Sequence, residues 1–456
     1  MEGNKMLLAG FAEKEYTPES GFMPGQMYAN PAQGKFTPLM AKASAFTNGE
    51  DSIILISLDL CVPNNAFCDK VRTQISKITG VPFSNILVAA THTHTGCMLS
   101  TGDWYIPGDM DMENKVVAKA VEAATVAFEG REPSKLGIGV AYEPRYGFVR
   151  DVYVRDGDVR TNPWHRLGYD LVRVSGPVDH SVNVMRVENM EGKVKALIVN
   201  YANHPDCHHA KDVDNNKFSA DFPGYLRERL KTEYGEDVVV LFFNGTAGDI
   251  NAVDFMHKTT EDIRHSDNFA KAIGDGLADT VLALQPDVFV DIDNPVIGAV
   301  DQKHKLPRRF KTKEQYEWAL SLKDKIGTGE IEAYDELYAM EYLRPDEDFE
   351  QEFDFEVQTL QLGPWAIVGL PSEIYTQIGL KIKANSPFAN TVVFELANGH
   401  HGYIPTDKII GTSSYPARLH SNNSYSGKGA GDIIANVATA QLEQLFAEAA
   451  QKEFRD

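Results

Sequence analysis

The segment Asn85 to Gly96, NILVAATHTHTG, is an apolar run that ends abruptly in two histidines separated by one threonine. Val88, Ala89 and Ala90 suit a buried strand, and nothing in such a strand calls for imidazoles. If Thr91 to Thr95 stays extended, alternation puts His92 and His94 on one face, about 7 Å apart along the strand, where both can meet one ligand or metal ion. The same pattern also fits two surface histidines where a strand meets a loop. The rest of the chain must decide.

Just upstream, Ser52 to Leu60 (SIILISLDL) reads as a strand with Asp59 near its end, and Asn65 to Thr79 has helical spacing of Phe67, Val71, Ile75 and Ile78 with Gly80 as its stop. Strand, helix, strand makes a βαβ unit with a parallel pair. The N-terminal stretch to about Thr47 is rich in Gly, Pro and Met and reads as loop, of the kind that covers a site. Downstream, a helix is expected over Met112 to Phe128 and a strand over Leu136 to Tyr142. VYVRDGDVRT then carries a hairpin signal at Asp156-Gly157. Arg145, Arg150, Arg155, Arg160 and Arg166 crowd this segment, which suits either a substrate-gripping flap or a solvated hairpin laced with salt bridges.

Lys193 to Ala202 is a strand running into Asn203, His204 and Pro205, and Ser219 is a plausible N-cap for a helix through Glu233. Val238 to Phe243 is an apolar strand that ends in NGTAGDIN. A helix over Asp267 to Leu284 follows. Residues 305 to 352 read as a charged helical insertion or outer layer. Phe355 to Leu362 and Trp365 to Leu370 pair as strands, the second leading to Glu373. Thr391 to Leu396 leads to ANGHHGYIPTD, and a helix from Asp432 to Glu453 closes the sequence.

Composition narrows the function classes. With 43% hydrophobic and 24% charged residues, this is ordinary globular composition, and no apolar run approaches the roughly 20 residues of a membrane span. The opening MEGNKMLLAGF has too short an apolar patch for a signal segment. Acidic residues outnumber basic ones 65 to 44, a formal charge of -21 that repels nucleic acid. Cys61, Cys68, Cys97 and Cys207 read as buried thiols; the alternatives are a Cys97 to Cys207 bridge or a thiolate ligand.

Five apolar runs end in metal-ligand or acid-base residues: His92 and His94; His204; NGTAGDIN; Glu373; and the segment with His400, His401 and Tyr403. Ligand sites of α/β sheets lie beyond the carboxyl ends of strands. Imidazoles and a carboxylate delivered there suit zinc, which keeps one position open for water in catalytic sites. Gly245 and Gly248 suit a tight turn whose backbone N–H groups point into the cleft, with Asn244, Thr246, Asp249 and Asn251 lining it. The GxxxxGK[ST] nucleotide loop is missing.

THTHTG, NYANHPD followed by FSADFPGY, FFNGTAGDIN, GLPSE and ANGHHGYIPT, with Tyr415 twelve residues past Tyr403, together resemble the neutral (non-lysosomal) ceramidase family. The resemblance spans about residues 8 to 449 and is to a shorter homologue, without that family's C-terminal immunoglobulin-like domain. It implies zinc ligands at His92, His204, Glu373 and Tyr403. It also implies a proton-moving role for His94, Tyr415 beside the reacting carbonyl, and a substrate-contacting arginine at Arg150. Where the family's GDVSPN carries a serine of assigned essential role, this chain has GDINAV, with Asn251 in the serine's place; asparagine cannot be a nucleophile but can hydrogen-bond substrate or water. The resemblance further suggests an exported protein.

The resulting expectation is one α/β catalytic domain over residues 1 to 456, a mixed β-sheet with helices packed on it and a metal site at the strand ends. The expected activity is zinc-dependent hydrolysis of an amide (N-acyl) bond in a small-molecule substrate, by activated water. Asn244 and Asn251 join Arg150 as expected substrate contacts. Two alternatives are a metal-dependent deacetylase, esterase or lyase on an acidic carbohydrate, and a noncatalytic binding protein on the same fold.

Overall fold

The computed structural model describes residues 6–24, 30–101, 108–164, 167–208, 216–257, 267–292 and 295–453. Two mixed β-sheets stack face to face, and helices cover their outer faces. The larger, nine-stranded sheet runs from edge to edge as Val239–Asn244, Val194–Tyr201, Ser181–Asn189, Glu132–Tyr142, Leu8–Glu15, Met40–Thr47, Ser52–Leu58 and Ile86–Ala90, with Val290–Ile292 added against Glu132–Tyr142. The smaller orders Ile297–Pro307, Glu352–Leu362, Trp365–Leu370 and Asn390–Glu395. Parallel pairing joins Ser52–Leu58 to Ile86–Ala90, Val194–Tyr201 to Val239–Asn244, and Trp365–Leu370 to Asn390–Glu395.

Side-chain alternation explains why these strands read as unbroken apolar runs: both faces are covered. Ile54, Ile56 and Leu58 pack on the helices Asn65–Thr79 and Met110–Glu129, whereas Ile53 and Leu55 pack toward the second sheet. On that sheet Trp365, Ile367, Val392 and Phe394 face the first, and Val368 and Val393 face the helices Thr376–Asn385 and Ala430–Glu453. Phe243 and Phe394 stack across the seam, with centroids 4.2 Å apart and rings within 4° of parallel.

The βαβ unit is as read. Asn64 caps its helix by accepting from Phe67 N, and Gly80 ends it with φ 76°. The N-terminal stretch, expected as loop, instead contains the strands Leu8–Glu15 and Met40–Thr47, paired over eight residues. Their alanine-rich sequences have weak strand propensity, so tertiary packing decides. Ser219 is not the N-cap of Asp221–Tyr234; Ala220 is, and Ser219 Oγ accepts from Asp221 N at 3.0 Å. Residues 305–352 begin in a strand before turning helical over Lys313–Leu322 and Ala333–Leu343.

Gly10 lies where its strand passes the end of Met110–Glu129, and a Cβ there would sit 2.0 Å from Ala127 O and 2.9 Å from Arg131 N. Gly10→Ala is therefore expected to cost about 1–3 kcal/mol in urea unfolding, as overpacking does. An unchanged midpoint would mean that the helix end yields freely.

Candidate metal centre

His92, His204 and Glu373 follow the carboxyl ends of Ile86–Ala90, Val194–Tyr201 and Trp365–Leu370, each a member of a parallel pair. Two of these strands belong to the larger sheet and one to the smaller, so the site lies across the seam. The THTHTG segment is not extended, as the 7 Å reading required. The strand stops at Ala90, and His92 adopts φ 73°, a left-handed conformation that is costly outside glycine. Hydrogen bonds from His92 N to Leu60 O (2.9 Å) and His94 N to Pro205 O (3.0 Å) hold the turn. The hydroxyls of Thr93 and Thr95 both donate to Ser219 O, at 2.7 and 2.9 Å. Turning, not alternation, brings the two rings together, 4.8 Å apart and edge to face.

The ligand atoms of His92, His204 and Glu373 lie within 4.8 Å of one another. His92 Nδ1 is 2.9 Å from Cys61 O and His204 Nδ1 is 3.0 Å from Ala247 O. A carbonyl only accepts, so each ring carries a proton on Nδ1, and the Nε2 of a neutral ring presents a lone pair. Those two Nε2 atoms are 3.0 Å apart, and Glu373 Oε2 is 3.3 and 3.4 Å from them. Glu373 Oε2 is buried without a hydrogen bond among the described residues. Three acceptors crowded around one point repel one another unless a cation sits among them, and two imidazoles with a carboxylate are a fitting donor set. Burial, with Arg150 and His92 beside it, holds the His204 ring well below the usual imidazole range, so it stays neutral.

Around this group, Tyr403 is paired with Glu373 on adjacent short parallel strands. Its hydroxyl accepts from Arg150 Nη2 at 3.0 Å; burial and the Glu373 carboxylate outweigh Arg150 and keep it protonated. Arg150 also donates to Gly248 O at 2.8 Å and reaches His204 Nε2 at 3.4 Å. His94 Nε2 lies 3.4 Å from His92 Nε2, and its Nδ1 lies 3.7 Å from Asp206 Oδ1. Tyr415 packs edge to face on Tyr403 at 5.6 Å and accepts from Asn423 Nδ2 at 2.8 Å.

The NGTAGDIN turn is placed differently from the reading of it. Gly245 N donates to Tyr201 O and Gly248 N to Ile374 O, so these N–H groups are spent on the scaffold instead of facing the cleft. The glycines serve close approach: a Cβ on Gly245 would meet Ala202 Cβ at 2.9 Å, and one on Gly248 would meet Glu373 O at 2.7 Å. Carbonyls do the orienting here, Ala247 O for His204 and Gly248 O for Arg150. Asn244 and Asn251, expected as substrate contacts, do not line the cavity over the site. Asn244 Nδ2 donates to Glu395 Oε1 at 3.0 Å, and Asn251 Oδ1 accepts from Val253 N at 3.2 Å; both side chains are buried in the scaffold.

That cavity, of about 970 Å³, is also lined by His92, His94, Arg150, Glu373, Tyr403 and Tyr415. Part of its wall comes from 305–352, the segment read as an outer layer: Tyr334, Leu337, Glu341 and Arg344 stand there. His400, one of the polar groups expected after the apolar runs, lies 3.4 Å from Glu373 Oε1, and Asp206, for which no role was read, joins the site as well. The hairpin at Asp156-Gly157 forms, but Arg145, Arg155 and Arg160 pair with Glu143, Asp170 and Asp158, and of the four described arginines of this segment only Arg150 reaches the site. Arg166 lies outside the described residues. All four cysteines are buried thiols, with no bridge from Cys97 to Cys207, and Cys61 forms a second candidate ligand group with His92 and His94.

No protein-family model and no curated protein matches the chain. Solved structures do. The neutral ceramidase from Pseudomonas aeruginosa superposes with a TM-score of 0.70 at 15% identity, over 96% of this chain and 75% of that one. A ceramidase complexed with C2 gives 0.71 at 15% identity, over 96% and 76%. The chain thus has the ceramidase fold that its motifs led one to expect. No helix among the described residues is long and apolar enough to cross a membrane.

Proposed function

We propose that this protein is a zinc-dependent hydrolase of amide (N-acyl) bonds. The observation that carries the reading is the convergence of His92 Nε2, His204 Nε2 and Glu373 Oε2 on one point beside a cavity of about 970 Å³ that His92 and Glu373 line, with both imidazole Nδ1 atoms turned to backbone carbonyls. The likeness in fold to ceramidases, which cleave an amide, supports the bond type. His92, His204 and Glu373 would hold the metal, with the Tyr403 hydroxyl beside them. Bound there, zinc supplies Lewis acidity, lowering the pKa of a water molecule and polarising an acyl carbonyl.

The remaining steps belong to the chain. His94 Nε2 faces the ligand group and takes the proton of the attacking water, then returns it to the departing amine nitrogen. The Asp206 carboxylate near Nδ1 stabilises the imidazolium formed in between. Arg150, which stays charged despite burial because Tyr403 and Glu373 lie beside it, steadies developing negative charge on the carbonyl oxygen together with Tyr403 and Tyr415.

Elemental analysis of the purified protein is expected to find stoichiometric zinc, and chelation should abolish hydrolysis of N-acyl compounds until zinc is restored. Absence of any transition metal, with His92→Ala and His204→Ala behaving as wild type, would sink the proposal. The acidic-carbohydrate alternative rested on the hairpin arginines, and three of those are paired to neighbouring carboxylates.

A further inference from the structure

Two stretches of the cavity wall differ in chemistry. Val62, Pro63, Met98 and Leu99, in loops after two strands of the larger sheet, make one stretch apolar. The other comes from the helix Ala333–Leu343 with Arg344 just after it, and from the segment 420–423, which leads toward the metal centre: Asn423 donates to Tyr415 and accepts from Tyr403 N. This second stretch contains an arginine whose bonding is incomplete. Both side-chain hydrogen bonds of Arg344 leave from Nη1, to Ser421 Oγ at 2.7 Å and to Glu341 Oε2 at 3.5 Å. Its Nε and Nη2 donors have no protein acceptor among the described residues, and the guanidinium is steadied over the Phe349 ring at 4.8 Å. Glu341 neutralises it only loosely, because the same carboxylate accepts from Ser421 N at 2.8 Å and Ser421 Oγ at 3.1 Å.

The Nε–Nη2 edge of a guanidinium is a fork that matches a carboxylate in two parallel hydrogen bonds. Arg150, the other arginine of the wall, is buried and already donates to Gly248 O and Tyr403 OH. We infer that Arg344 is a specificity residue that receives a carboxylate on the amine side of the substrate, so that the preferred substrates are N-acyl amino acids. The acyl chain lies on the apolar stretch, the amide at the metal centre, and the carboxylate on Arg344. This rests on the amide-hydrolase reading above.

The test uses the full-length, zinc-loaded protein and two substrates with the same acyl chain, an N-acyl amino acid and the N-acyl amine that lacks its carboxylate. Wild type should favour the acid in kcat/KM. Arg344→Gln should raise KM for the acid by about tenfold or more, the scale of a charge-assisted pair, with kcat and the kinetics on the amine little changed. Arg344→Lys, keeping the charge without the fork, should recover only part of the loss. Equal preference for the two substrates, or an Arg344→Gln effect of the same size on both, overturns the inference while leaving the hydrolase reading intact. Hydrolysis of neither by zinc-loaded wild type overturns the hydrolase reading itself.

Discussion

His94→Ala is expected to lower kcat for amide hydrolysis by about 10²–10⁴-fold, the usual contribution of a positioned general acid–base, while the metal content stays that of wild type. Both halves of the result matter. His94 lies 3.4 Å from His92 Nε2, close enough to be mistaken for a ligand, but it is outside the group formed by His92, His204 and Glu373. Metal analysis beside single-turnover rates separates the roles: loss of metal in this variant would make His94 a ligand and leave the proton transfer without a carrier. Asp206→Asn should give a smaller loss, about 10–100-fold, because it removes only the charge behind the ring.

Glu395→Ala should produce the largest structural effect. Its carboxyl group is fully buried and accepts from Asn244 Nδ2 at 3.0 Å, Ala247 N at 3.0 Å and Ile374 N at 3.2 Å. Ala247 supplies the carbonyl that orients His204, and Ile374 follows Glu373, so one side chain ties the supports of two candidate ligands together. Alanine leaves three donors buried and unmatched at about 1–3 kcal/mol each, and zinc affinity should fall by about 10–100-fold as an orienting contact is lost. Urea unfolding and a competitive zinc titration measure the two. Lost stability with unchanged affinity would confine Glu395 to folding.

The site was legible where residue type and strand ending coincided. His92, His204, Glu373 and Tyr403 announced themselves as polar groups after apolar runs, and they meet. Asn244 and Asn251 looked equally well placed, yet Asn244 Nδ2 donates to Glu395, Asn251 Oδ1 accepts from Val253 N, and neither side chain lines the cavity. A sequence cannot show which way a turn faces. It also could not show that residues 305–352, charged and without periodicity linked to chemistry, supply a wall of the cavity, because that depends on how the helix Ala333–Leu343 packs against the segment around Ser421. Likewise, the strands Leu8–Glu15 and Met40–Thr47 carry little propensity of their own and form through their mutual register.

The seam between the sheets has a consequence for how the protein is made. His92 and His204 follow strands of the larger sheet, Glu373 and Tyr403 strands of the smaller, and more than half the chain separates the first from the third. The loop closure that unites them is among the longest the fold requires, and contacts of such separation form late. A partly folded chain with only one sheet complete offers an ion the imidazoles of His92 and His204 without the carboxylate, or the Glu373 carboxylate without those imidazoles. An ion that binds the assembled group and not its halves stabilises the finished molecule alone, by mass action. On the proposed function, metal uptake would thereby be a checkpoint on tertiary assembly, completed only once the two sheets have docked.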